Sequence, residues 1–213
     1  MSWNRRSAHR LAAVDAYRFP AAVRQRFAAE HDGLSQAGID QVEAATRQWF
    51  RLAARHPRAK LSMPSLIAAA LWSEQARQSA DYDAFCSQAF GRAFPPPPPS
   101  AAGSSGASAA ALADTFRYAR QDEDCAPTAL PLLFRIDQQL VVPGGRRYLA
   151  DCGGRGTCYD LPGALCLQHL QGTGRSIRGR NTFGPPPPGY SSPGGGGGEG
   201  MACGGGGCGG GST

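Results

Sequence analysis

Lysine is almost missing from this chain: Lys60 stands alone, and the other members of its 22 basic residues are arginines, set against 16 acidic residues for a net charge of +6. The excess is mild and spread out. Residues 1–94 carry 13 basic and 8 acidic side chains, and the remainder carries 9 and 8. A nucleic-acid-binding chain shows a clustered basic stripe with aromatics to stack on. The nearest thing here, "GRSIRGR" (174–180), has three arginines and no aromatic, so it reads as a solvated loop and nucleic acid is not an expected partner.

Long apolar runs are also missing. The longest, "LIAAALW" (66–72), falls far short of the roughly 20 residues that cross a bilayer, so no membrane insertion is expected. A secretory start is not seen either. The basic residues Arg5, Arg6 and Arg10 are followed by "LAAVDAY", in which Asp15 interrupts the apolar run that a signal needs. The expected location is cytoplasmic, and the seven cysteines are then expected to be thiols.

What the chain has in abundance is glycine, 29 residues, and proline, 17. Both are clustered, so the packed part is smaller than 213 residues suggests. The reading is all-α: a small four-helix domain over 17–94, a Pro/Ser/Ala/Gly linker over 95–111, a segment with one or two short helices and cysteine-containing loops over 112–180, and a disordered Pro/Gly-rich tail over 181–213.

The helices follow from spacing. Pro20 opens a short one of about 20–31, with Val23 and Phe27 on one face. Ser35 caps the longest, about 36–55, in which Ile39, Val42, Trp49, Phe50 and Ala53 recur on one face before His56-Pro57 ends it. Ser62 with Pro64 opens a third, whose stripe is Leu66, Ala69, Ala70 and Trp72. Ser79 caps a fourth carrying Tyr82, Phe85, Cys86, Ala89 and Phe90, with Gly91 placed for a C-terminal cap. Beyond the linker, 109–121 is helical with Leu112, Phe116 and Ala119 aligned; in 129–152 Leu133, Ile136 and Leu140 fit a helix while "QLVVP" fits a strand ended at Gly144-Gly145, and the favoured reading is a short helix followed by a turn.

"VEAATRQWFRLAARHP", "SMPS", "ALWSE" and "YDAFCSQAFGR", then "LPLLFRIDQQL", "RYLADC" and the terminal "CGGGGCGGG", together resemble a bacterial family of glycine-rich domain-containing proteins. The helical part is also similar to the domain of unknown function in plant glycine-rich domain proteins. The resemblance covers 17–94 and 130–152, with the tail matched by composition, and it implies a helical fold without implying an activity. It further implies histidines at four positions that are occupied here by Ser73, Gln78, Pro95 and Pro96. On this comparison the chain keeps the scaffold and lacks the site. On one continuous helix positions 73 and 78 would lie about 140° apart, so those histidines need not have shared a pocket.

Three readings of function remain: a non-enzymatic interaction or scaffold protein, a zinc-binding protein, and an enzyme of unknown reaction. The zinc candidate is Cys152, Cys158, Cys166 and His169, enough ligands for a tetrahedral site but without paired Cys-x2-Cys spacing. Cys203 and Cys208 in the tail offer only two ligands on a flexible loop. Glu74 is expected at the surface, paired with Arg77 or Arg47, and Cys86 as a small buried hydrophobe. Neither "GGRGT" (153–157) nor "GTGRS" (172–176) has the Gly-Lys-Ser/Thr ending of a phosphate loop.

Overall fold

The computed structural model describes residues 2–96, 109–126, 128–150 and 164–167, without the side chains of residues 2–5 and 79. The polyproline linker beyond Pro96, Cys152, Cys158, His169, both glycine-arginine loops and the Gly-rich tail lie outside the described residues.

The fold is mostly helical, as read from the spacing. In chain order come α1 (Ser2–Ala16), α2 (Ala21–Glu30), α3 (Gln36–Arg55), α4 (Leu66–Ala76), α5 (Ser79–Ala89), α6 (Ala109–Glu123) and α7 (Leu132–Gln139). Two three-residue strands follow, β1 (Arg147–Leu149) and β2 (Ala164–Cys166), paired parallel with Tyr148 opposite Leu165. The strands and α1 are additions to the sequence reading. Val14 of α1 is fully buried, and Leu11 and Ala13 pack beside it on the common core.

The longest helix, α3, forms where its apolar stripe and caps coincide. The Ser35 side chain accepts from the Gly38 amide at 3.1 Å, and the His56 N–H bonds back to Leu52 before Pro57 stops the chain. Its buried Ile39, Val42, Trp49, Phe50 and Ala53 let it serve as the central element, packed against α1, α4, α6 and α7. One aromatic cluster surrounds Phe50, whose ring lies 5.2 Å from Phe85 and 6.1 Å from both Trp72 and Phe90. A second links α6, α7 and β1: Phe116 to Phe134 at 5.2 Å, and Phe134 to Tyr148 at 5.0 Å.

Two helix starts differ from expectation. α4 is capped by Ser65, not opened at Ser62, and α5 has Gln78 at its N-cap with Ser79 as its first residue. The end of α5 falls where expected. Gly91 adopts φ +67°, a left-handed conformation that suits glycine, and its N–H bonds to the Cys86 and Ser87 carbonyls. Among the described residues no helix is long and apolar enough to cross a membrane.

Candidate functional site

The end of α4 concentrates the polar residues that the sequence singles out, so the candidate site is built from there. Trp72 Nε1 donates to the Tyr82 hydroxyl at 2.6 Å, and that hydroxyl donates to the carbonyl of Phe94. The ring of Phe94 stacks on Trp72 at 4.9 Å and 20° and meets Phe90 at 4.5 Å. One hydrogen-bonded chain thus ties α4, α5 and the segment leading into the prolines.

Three of the four positions implied by resemblance border this chain. Ser73 follows Trp72 and is half-buried, Gln78 accepts the Tyr82 amide on its own carbonyl at 3.1 Å, and Pro95 follows Phe94 on the exposed side. Pro96 comes next, half-buried. Gln78 lies beyond the end of α4 at Ala76, so the angle computed for one continuous helix does not apply.

Glu74 is a correction. It is not a surface residue: it is 2% exposed, and its two carboxylate oxygens are taken by Arg26 of α2 and by Arg77 at 2.6 Å. Of the two partners the spacing offers, Arg77 is one of those found, while Arg47 donates instead to the carbonyl of Tyr17 at 3.1 Å. The reason is position: Glu74 falls on the side of α4 that packs against α2, and burial of a carboxylate is tolerated when both oxygens are paired. Both oxygens accept from a guanidinium, so Glu74 holds α2 to α4.

Burial acts on three other titratable groups nearby, Tyr17, Tyr82 and Cys86. Burial pushes the Tyr17 phenol up to about 12, and it also raises Tyr82 and the Cys86 thiol. Cys86, 2% exposed, is a protonated core thiol and not a thiolate. Beside Tyr17 lies the carboxamide of Gln75, 1% exposed, whose interaction with the phenol works against the upward push of burial. Asp81 and Asp83 are exposed, with Asp81 in the first turn of α5 where the helix dipole favours an acid.

A second buried carboxylate escaped the sequence reading. Asp137 of α7, 3% exposed, accepts from Ser65 Oγ at 2.6 Å, from the amides of Leu66 at 2.8 Å and Ile67 at 3.2 Å, and from that of Arg146 at 3.0 Å. It therefore caps α4 from a distant part of the chain. The turn before Arg146 needs its glycines: Gly144 has φ +67°, and a Cβ on Gly145 would sit 2.8 Å from the Val142 carbonyl and 3.0 Å from Asp137 Cβ. The missed signal was local. In "LLFRIDQQ" Asp137 falls four residues after Leu133 and three after Phe134, on the buried face.

Of the proposed zinc ligands only Cys166 is described. It is fully buried in β2, opposite Leu149, and not in a disulfide. Among the described residues no cluster of three His, Cys, Asp or Glu side chains is placed to hold a metal.

A family model described as UCP032817-like matches residues 9–167, a span that runs from the middle of α1 through β2. No curated protein and no solved structure matches the chain.

Proposed function

Since the chain belongs to the UCP032817-like family, and its helical body fills most of the matched span, we propose that it is a non-enzymatic interaction or scaffold protein. One observation supports the reading above others: the two buried carboxylates, Glu74 and Asp137, have all four oxygens engaged by donors of the chain itself. Groups of that kind, placed in an active site, are left a reacting partner. Here they join α2 to α4 and α7 to α4.

The resemblance to glycine-rich domain-containing proteins deepens the same proposal. Ser73, Gln78, Pro95 and Pro96 stand where that comparison implies histidines, around the closed Trp72–Tyr82–Phe94 chain. The test restores them. A full-length variant with Ser73→His, Gln78→His, Pro95→His and Pro96→His should take up a transition metal that the parent does not hold, read by elemental analysis after purification under reducing conditions. Stoichiometric metal in the parent, lost on substitution within α4 or α5, would overturn the scaffold reading.

The second reading is zinc held by Cys152, Cys158, Cys166 and His169. It is supported by five of the seven cysteines lying beyond residue 150, and by the strand pairing that sets Leu149, three residues before Cys152, opposite Cys166. Replacing Cys158 and Cys166 together with serine should abolish zinc retention if this reading holds, and unchanged retention removes it.

A further inference from the structure

Two adjoining clefts beneath α1 share Arg6 and Arg10. The first, about 230 Å³, is completed by Ser7, Arg55 and Arg58 at the end of α3 and just past it; the second, about 650 Å³, by His9, Gln88 and Gly91 at the end of α5. No carboxylate lines either one.

That concentration of one sign is unusual within this molecule. Arg24, Arg26, Arg51, Arg77, Arg117 and Arg135 each rest on a carboxylate. Among the described residues Arg6 and Arg10 have none. They are four residues apart on α1, a spacing that puts like charges side by side and destabilises a helix. Arg55, facing them, is partly neutralised by Asp122 at 2.8 Å. The negative end of α5 accounts for Arg10, whose guanidinium lies 3.2 Å from where a Cβ on Gly91 would stand. It does not account for Arg6, which sits in the N-terminal half of α1, toward the positive end of its own dipole.

We infer that this double cleft binds a multivalent oxyanion of the phosphate class. Guanidinium forks present paired donors matched to phosphate oxygens, and Ser7 adds a hydroxyl donor. Several converging arginines select for an anion of more than one charge over a single carboxylate. The site is independent of the interaction or scaffold reading, since it involves neither α4 nor the cysteine segment.

The probe is inorganic pyrophosphate, titrated calorimetrically into the full-length protein at low salt, where surface electrostatics are least screened. Saturable one-to-one binding is expected. It should weaken about tenfold or more in the Arg6→Gln/Arg10→Gln double variant and stay unchanged in Arg24→Gln, whose arginine lies on α2. Arg10→Lys keeps the charge and loses the fork, so it should bind with intermediate strength, and it serves if the double variant does not fold. A second arm uses phosphatidylcholine vesicles with and without a phosphoinositide. Binding to the phosphoinositide vesicles, reversed by pyrophosphate, assigns the cleft to a lipid headgroup; pyrophosphate binding without vesicle binding assigns it to a free phosphate ester. No saturable heat, or equal affinity in the parent, the double variant and Arg10→Lys, would mean an adventitious ion only and would overturn the inference.

Discussion

Replacing Asp137 with alanine removes one side chain and leaves four donors behind. The Ser65 hydroxyl, the Leu66 and Ile67 amides at the start of α4, and the Arg146 amide all lose their acceptor. An unmet buried donor costs about 1–3 kcal/mol, and a bond to a charged group is worth about 1.5–3 kcal/mol. These do not add, because a frayed first turn can reach water. The expected loss is therefore about 3–5 kcal/mol, a large part of the roughly 5–15 kcal/mol that a folded domain has in total. Asp137→Asn is the sharper variant. It keeps one oxygen for two of the donors, but it turns an NH2 group toward the others, so about 2–4 kcal/mol should be lost despite identical shape. Urea unfolding followed by tryptophan fluorescence measures both, and hydrogen exchange at Leu66 and Ile67 should accelerate ahead of the rest of α4. A loss below about 1 kcal/mol for the alanine variant would refute the claim that this carboxylate holds α4 in place.

His56 stacks on Tyr118 at 3.7 Å, and its burial, with Arg55 and Arg117 nearby, lowers its pKa from 6.5. The neutral ring is thus favoured in the folded state, so this contribution to stability is complete above pH 6.5 and declines as the pH falls through that value toward the folded one. His56→Gln should flatten that part of the melting-temperature profile. Cys125, half-buried, should react with iodoacetamide well before the buried Cys86 and Cys166 in the native protein, as read by peptide mass spectrometry. Glu74→Gln should cost about 1–3 kcal/mol in urea unfolding, less than a fully buried pair would, because Arg26 and Arg77 are 45% and 66% exposed and can turn to water. Finally, a fragment ending at Phe94 should lack a cooperative melt by calorimetry, and a sharp transition close to that of the full chain would count against the packing described between α3, α4 and the later helices.

Where a helix carries its own apolar stripe and its own cap, its position could be read directly. α3 is the clearest case, with its five-residue stripe buried and Ser35 capping as expected. The end of α5 was legible for the same reason, since Gly91 needs only its own backbone. α1 was not legible, because it offers little more than Leu11 and Val14 to the core and its basic residues resemble a solvated start. The strands were hidden by length: three residues hold no readable alternation, and β2 pairs with a segment 17 positions earlier.

The polar residues show a common cause for the remaining errors. Spacing alone puts the start of α4 at Ser62, because Pro64 suits a first helical turn. The structure puts it at Ser65 because two acceptors for the next two amides arrive from Asp137, 70 and 71 residues away. α7 begins in the same manner: Gln48 Oε1 accepts from the Leu133 amide at 2.9 Å, 85 residues away, and Glu123 accepts from Leu132 at 2.6 Å. For Glu74 the spacing offers Arg77 or Arg47; the structure pairs it with Arg77, three residues off, and with Arg26, 48 residues off. Spacing along one helix reports which side chains share a face, but a buried carboxylate or amide is fixed by donors on another element. The start of α4 therefore depends on α7, and the start of α7 depends on α3 and α6, so that the capping of these helices is a property of the assembled core and not of any one of them.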